Sequence, residues 1–146
     1  MAGLYVHVPF CSQRCVYCDF YFTTTRREEG PYTRALALEA ERLGHEYRDR
    51  APLRTLYLGG GTPSLLTPDA LAAVIGAAHD HFDASGLEEV TVEANPEDLA
   101  GERGADWFGE AVRVELALAV ATSQVFPILK RGLGQDLACA LVQVEV

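Results

Sequence analysis

Three cysteines near the start of the chain are the residues whose spacing most clearly indicates chemistry. Cys11, Cys15 and Cys18 form a CxxxCxxC pattern directly after a short apolar run. A loop this short can present three thiolates to three irons of one iron–sulfur cluster, whereas a fully protein-bound cluster usually takes four. Asp19 follows the third cysteine, so one iron is left for an outside ligand. An open metal position is typical of a catalytic centre rather than a structural one.

Other uses of these cysteines are less favoured by the sequence. A structural zinc-binding domain with a Cys3His site could recruit His7, since zinc accepts both ligand types. A disulfide fits poorly, because three of the four cysteines are crowded together and no signal-like apolar segment stands at the start. This cysteine usage suits the reducing cytoplasm. Inert, buried cysteines would have no packing reason to share one loop.

Two further segments place candidate ligand-binding positions at the ends of predicted strands. The sequence GGGTPS at residues 59–64 follows an apolar run at 54–58, and glycines there let a ligand approach the backbone. Glu93 lies near the end of a third run, 89–94, whose residues alternate between apolar and polar. Taken alone, a glycine run also fits a tight turn, and a strand-end glutamate also fits a local cap.

The elements that must position these residues are predicted to be three strand–helix units. Strands are predicted at 4–8, 54–58 and 89–94, helices at 31–47 and 67–82, and the start of a third helix at 95–98. The alternation predicts an α/β fold, the N-terminal portion of a partial parallel (β/α) barrel, with all three candidate segments at its carboxyl-end face. The predicted buried faces of the helices are Tyr32, Leu36, Ala40, Leu43 and Tyr47 in the first and Leu71, Val74, Ile75, Ala78 and Phe82 in the second.

Aromatic residues crowd the cysteine loop. Most of them are expected to pack beneath it, and they would also keep water from a cluster, which tunes its reduction potential. They are Phe10, Tyr17, Phe20, Tyr21 and Phe22.

Together these segments resemble the radical S-adenosylmethionine (SAM) superfamily. The resemblance is carried by YVHVPFC at 5–11, CDF at 18–20, GGGTP at 59–63 and VEANP at 92–96. It runs over about residues 4–99. Within the superfamily it is similar to the branch that contains the oxygen-independent coproporphyrinogen III oxidases and the HemW-type haem chaperones.

This resemblance implies a set of cofactors and ligands. It implies a [4Fe–4S] cluster held by Cys11, Cys15 and Cys18, with SAM chelating the remaining iron. In such proteins the reduced cluster cleaves SAM to a 5′-deoxyadenosyl radical. The other residues that the resemblance assigns to cofactor binding are Tyr5, Tyr17, Gly60, Gly61, Thr62 and Glu93.

The resemblance leaves two functions open. One is a chaperone that binds haem and delivers it to target proteins, and the other is an oxidase that decarboxylates coproporphyrinogen III by hydrogen abstraction. Oxidases of this branch carry a further cysteine just after the third, where this chain has Asp19 and Phe20, which favours the chaperone. The expected small molecules are SAM and either haem or a porphyrinogen. The expected protein partners are a reductant and haem-accepting targets.

The composition of the chain limits the class of fold and the classes of partner that can be expected. The 146 residues are 49% hydrophobic, which suffices for one folded domain. A net charge of −9 argues against a nucleic-acid partner, and no apolar run is long enough for a transmembrane segment. Residues 1–111 are predicted to form a partial radical SAM core domain. Residues 112–146 are predicted to hold a possible fourth strand and an atypical tail, as in a truncated or frameshifted reading frame.

Overall fold

The computed structural model describes residues 2–47, 50–95, 98 and 140–145. Within them the sheet has four strands: β1 (Ala2–Val8), β2 (Leu53–Gly60), β3 (Glu89–Ala94) and β4 (Ala140–Glu145). Helix α1 (Glu29–Tyr47) connects β1 to β2, and helix α2 (Pro68–His81) connects β2 to β3. Short 3-10 turns at Arg26–Glu28 and Pro63–Leu65 precede the two helices. No helix of this described part is long and apolar enough to cross a membrane.

The first three strands are parallel and neighbour each other in chain order. The pairing aligns Val8 with Gly60 and Leu58 with Val92, so the carboxyl ends of β1, β2 and β3 meet at one edge of the sheet. The three predicted strands and the two predicted helices are therefore confirmed, with bounds that shift by up to two residues. The parallel sheet follows from the helical crossovers, because strands joined through a helix on one face run in the same direction.

Alternation along the strands separates two faces of the sheet. The core face carries aliphatic side chains that pack against α2 and, more loosely, against α1. The opposite face carries Tyr5 and His7 of β1, Tyr57 of β2 and Glu93 of β3, because side chains of a strand alternate between faces. The buried core residues of the strands are Val6, Val8, Leu56, Leu58, Val90 and Val92.

Helix α2 follows the sequence prediction closely. Thr67 caps it, since its Oγ1 accepts a hydrogen bond from the backbone N–H of Ala70 at 3.3 Å. The proline that follows occupies the first turn, where its missing N–H costs nothing. The predicted apolar stripe is buried at Leu71, Val74 and Ala78.

Helix α1 departs from its prediction at its end. It begins at Glu29, two residues before the predicted start, and Ala40 on the predicted face is buried. Tyr47, predicted to be buried, is 41% exposed, and the guanidinium carbon of Arg50 lies 4.5 Å from the centre of its ring. Tyr47 lines a cavity together with Ala2 and Leu53 at the start of β1 and β2, so its ring is not packed closely on the sheet.

The sequence did not predict β4. This strand lies in the tail that the sequence analysis left without a family pattern, and it pairs antiparallel with β3 from Glu89↔Glu145 to Ala94↔Ala140. The predicted fourth strand near 112–120, most of the helix expected after Asn95 and the proposed boundary at 111/112 all lie outside the described residues.

Candidate cofactor site at the carboxyl ends of the strands

The candidate site forms where the three parallel strands end. The cysteine loop (residues 9–25) follows β1. The glycine loop (residues 59–66) comprises the end of β2 and the turn after it. Glu93 lies one residue before the end of β3. Because the carboxyl ends of parallel strands form one edge, the three candidate segments lie together there. This edge is the usual ligand-binding edge of parallel α/β sheets.

Backbone hydrogen bonds hold the cysteine loop at its base. The Cys11 N–H donates to the Thr23 carbonyl at 3.0 Å, and the Thr23 N–H donates to the Pro9 carbonyl at 2.7 Å. Further out, the Cys18 N–H donates to the Cys15 carbonyl at 3.2 Å. All three cysteines are partly exposed, and none of them forms a disulfide. Three thiols on one anchored loop are a donor set that fits an iron–sulfur cluster.

The glycine loop packs directly against the base of the cysteine loop. The Gly61 N–H donates to the Val8 carbonyl at 2.7 Å, and the Thr62 N–H donates to the Phe10 carbonyl at 2.6 Å. A β-carbon on Gly61 would lie 2.6 Å from the Phe10 oxygen and 3.0 Å from the Cys11 sulfur. The absence of a side chain at Gly61 therefore allows the two loops to touch beside the first thiol.

Gly60 is fixed by its backbone conformation and by its neighbours. Its φ is +111°, a region that glycine adopts without the steric cost of a β-carbon. A β-carbon there would overlap the imidazole ring of His7. Its N–H donates to Glu93 Oε2 at 3.1 Å, so this glycine joins the end of β2 to the carboxylate on β3.

Two donors orient the half-buried carboxylate of Glu93. Besides Gly60, the Tyr57 hydroxyl donates to Oε1 at 2.7 Å. The ring of Tyr57 lies 5.9 Å, centre to centre, from the ring of Tyr5. Partial burial and then the negative charge of Glu93 raise the pKa of the Tyr5 phenol, which places Tyr5 within the electrostatic field of the carboxylate.

His7 links the same face to the cysteine loop. Its Nε2 lies 2.9 Å from the backbone carbonyl oxygen of Tyr21, which can only accept, so Nε2 carries the proton and donates. Its Nδ1 then accepts from the Tyr5 hydroxyl at 3.1 Å. Both ring nitrogens are thus used in hydrogen bonds within the protein.

The geometry gives no support to the zinc alternative. In the described part of the chain, no three His, Cys, Asp or Glu side chains come together so as to hold one metal ion. Zinc needs its ligands around a single point, whereas a cube-shaped cluster places each thiolate on a different iron.

Two of the predicted cofactor residues lie in contrasting settings. Thr62 is 7% exposed, and its backbone N–H donates to the Phe10 carbonyl. Tyr17 is on the loop tip beside the second and third cysteines.

The aromatic residues of the cysteine loop do not pack as a group. Phe10 is buried against Tyr32, edge to face at 5.4 Å. In contrast, Tyr17, Phe20 and Tyr21 are 58%, 66% and 76% exposed. The expectation that most of these residues pack beneath the loop is wrong, because the loop runs outward between its two anchored ends and carries them away from the core.

A buried polar contact that the sequence did not predict joins the glycine loop to the end of β3. The Ser64 hydroxyl donates to Asp98 Oδ2 at 2.7 Å and accepts from the Asn95 N–H at 3.2 Å. The place of Tyr57 in the site was not predicted either. The available signal was alternation, since Tyr57 is two residues before Gly59 and falls on the same face as Glu93.

Comparison with known proteins gives one family. The sequence model of the radical SAM superfamily matches residues 5–136, beyond the segment predicted to resemble it. The heme chaperone HemW of Mycobacterium tuberculosis (strain CDC 1551 / Oshkosh) is 46% identical over 98 residues, which cover 65% of this chain and 25% of that protein. The oxygen-independent coproporphyrinogen III oxidase of Bradyrhizobium diazoefficiens is 32% identical over 103 residues, covering 69% of this chain and 23% of that protein.

A solved structure agrees with the sequence matches. The coproporphyrinogen III oxidase (HemN) from Escherichia coli, described as a radical SAM enzyme, aligns with a TM-score of 0.60 at 27% identity. The alignment covers 67% of this chain and 23% of that one. This chain spans about a quarter of the length of the curated relatives it matches. The predicted partial barrel and family resemblance are confirmed: the chain belongs to the radical SAM superfamily, whose cofactors are a [4Fe–4S] cluster and SAM.

Proposed function

We propose that this chain binds a [4Fe–4S] cluster through Cys11, Cys15 and Cys18, holds SAM beside it, and acts as a HemW-like haem chaperone. The observation that carries the proposal is the contact between the two loops, where the backbone of Gly61 lies against the Cys11 sulfur because no side chain keeps the loops apart. A ligand of the cluster's remaining iron would therefore lie next to the backbone of the glycine loop. Membership in the superfamily supports the pair of cofactors, and the similarity to heme chaperone HemW supports the chaperone function.

The other site residues have separate proposed roles. Glu93 accepts hydrogen bonds from polar groups of SAM, while backbone groups of Gly60, Gly61 and Thr62 hold its methionine end. Tyr5 lies on the same face as Glu93, and Tyr17 lies beside the cluster. When bound, the reduced cluster and SAM supply one-electron radical chemistry. The protein's own part is to orient SAM and to keep the thiolates in place.

An oxygen-independent coproporphyrinogen III oxidase is the second candidate function. The structural similarity to HemN favours it, but Asp19 and Phe20 stand where oxidases of this branch carry a further cysteine. The two candidate functions differ in whether SAM is consumed when haem or a porphyrinogen is added. A chaperone binds haem without consuming SAM, whereas the oxidase consumes SAM when a porphyrinogen is added.

The proposal also includes the protein partners, the cellular location and the domain bounds. A reductant protein would supply the electron to the cluster, and haem-accepting proteins would be the targets. The reduced thiols suit a cytoplasmic location. Residues 1–111 would form the core domain of this chain, followed by a distinct segment at 112–146.

Anaerobic reconstitution with iron and sulfide tests the metal site. The chain should become brown and oxygen-labile and hold about four irons. A Cys11→Ser, Cys15→Ser, Cys18→Ser triple variant should lose them. Cys139→Ser is the matched control, since it removes the remaining cysteine of the chain and should leave the iron content unchanged. A colourless protein with one bound zinc would contradict the proposal.

Addition of haem and of coproporphyrinogen III to the reconstituted protein then separates the two functions. Haem binding without 5′-deoxyadenosine release supports the chaperone. Porphyrinogen-dependent 5′-deoxyadenosine release would instead assign the oxidase function.

A further inference from the structure

Tyr57 lies on the face of the sheet that carries Tyr5, His7 and Glu93. It is not among the proposed cofactor-binding residues, yet it contacts one of them. Its hydroxyl donates to Glu93 Oε1 at 2.7 Å, and the Gly60 N–H donates to Oε2 at 3.1 Å. The two oxygens of one carboxylate are therefore fixed by two donors from the same strand. An ionised carboxylate has about four acceptor sites, so these contacts orient the group without exhausting its capacity.

The backbone leaves space for this contact. Tyr57 is paired with Thr91 in the sheet, so its side chain must reach diagonally toward the strand end to meet Glu93. The ring does so by lying over Gly59, where a β-carbon would be 2.6 Å from its Cε1 atom. The same β-carbon would be 3.1 Å from the Glu93 carboxylate. The absence of a side chain at Gly59 thus makes room for the ring of Tyr57, whereas at Gly60 and Gly61 it makes room for His7 and for the base of the cysteine loop.

We propose that Tyr57 is a positioning residue for SAM, acting by holding the Glu93 carboxylate in the orientation that accepts the ligand. This inference rests on the proposed SAM site. A binding group held in place by its neighbours loses less conformational freedom when the ligand arrives, which raises affinity. The ring of Tyr57 also lies against Tyr5, so one side chain of β2 supports the ligand-facing residues of both neighbouring strands.

The test is SAM titration of the anaerobically reconstituted chain, followed through the spectrum of the cluster. Tyr57→Phe keeps the ring and removes only the hydroxyl, and its dissociation constant for SAM should rise about three- to tenfold. Its iron content should equal that of the wild type. Tyr47→Phe is the matched control, because this exposed tyrosine at the far end of α1 should leave SAM affinity unchanged.

A double-mutant cycle separates positioning from packing. In a Glu93→Ala background, titrated to millimolar SAM, Tyr57→Phe should cause no further loss of affinity, because the group it orients is gone. Gly59→Ala should also weaken SAM binding, since the added carbon displaces the ring. An unchanged affinity in Tyr57→Phe would overturn the inference. An equal loss in the Glu93→Ala background would overturn it too, because the role would then be structural.

A different result of the same titration would contradict the proposed function. A wild-type chain that holds the cluster but does not bind SAM would overturn the SAM site, and this inference with it. Normal binding by the wild type together with normal binding by Tyr57→Phe would overturn the inference alone.

Discussion

The glycine loop and the cysteine loop meet at Gly61 but are held in different ways. Thr62, Pro63 and Ser64 in the glycine loop are all buried, and backbone or side-chain hydrogen bonds fix this loop to β1 and to the end of β3. The cysteine loop is anchored near Cys11 and Thr23, while most of the intervening residues are exposed.

The difference shows how the site is built. The wall that would face an organic ligand is formed by the fold itself and requires no ligand to order it. The thiol-bearing tip has little packing of its own, and metal binding commonly provides order to such segments. Substitutions in the glycine loop should therefore change folding stability, whereas substitutions at the cysteine-loop tip should not.

The largest effect is expected from Gly60→Val. The positive φ and the overlap with His7 should lower the free energy of unfolding by roughly 2–5 kcal/mol. Chemical denaturation measures this loss. Gly76→Ala is the matched control, because a β-carbon at Gly76 in α2 has open space around it and alanine favours a helix by up to about 1 kcal/mol. Equal stability of the two variants would mean that the glycine loop is not rigid.

A second effect is expected at the buried contact behind the glycine loop. Ser64→Ala leaves Asp98 and the Asn95 N–H without this partner in a buried setting, which should cost about 1–3 kcal/mol of unfolding free energy. The chain offers an exposed counterpart, in which the Ser85 hydroxyl donates to Asp83 Oδ1 at 2.6 Å. Ser85→Ala should cost clearly less than Ser64→Ala, because water replaces the lost contact at an exposed site. It should also raise the pKa of Asp83, which the contacts to Ser85 hold below its usual value.

The partly buried phenol of Tyr32, which packs beneath the base of the cysteine loop, should make the stability of the fold depend on pH in alkaline solution. Tyr32 donates to the His7 carbonyl at 2.8 Å, and burial, then the charges of Glu39 and Tyr5, raise its pKa to about 12. The unfolded phenol loses its proton near pH 10 while the folded one keeps it, so stability should fall as pH rises between about 10 and 12.

Urea unfolding at pH 9, 10 and 11 measures this decline. Tyr32→Phe removes the phenol and should show a shallower decline than the wild type over the same range. Parallel curves for the two proteins would show that Tyr32 titrates alike in both states.

The smallest effect is expected at the loop tip. The Tyr21 side chain is 76% exposed, and its contact with His7 uses the backbone carbonyl, which alanine retains. Tyr21→Ala should change the free energy of unfolding by less than about 0.5 kcal/mol. A loss above about 1 kcal/mol would show that the tip carries stabilising packing.

The sequence predicted the parts of this structure that depend on local pattern and strand order. Short apolar runs located β1 and β2, and alternation of apolar and polar residues located β3. The rule that parallel strands end at one edge brought Cys11, Gly61 and Glu93 together. The contact between Tyr57 and Glu93 depends on the pairing of two strands about 35 residues apart along the chain, which local pattern does not specify. The exposure of Tyr21 depends on the path of a loop, and β4 depends on a long-range pairing with β3.

The alternation of β1 also makes the site sensitive to a change in chain length. Val6 and Val8 lie in the core, while Tyr5 and His7 lie on the opposite face. Inserting one residue before Val8 would turn every preceding side chain of the strand to the other face. Polar rings would then replace aliphatic groups against α2, and the imidazole would no longer reach the Tyr21 carbonyl. The spacing between the start of β1 and Cys11 is therefore under as strict a constraint as the spacing of the cysteines themselves.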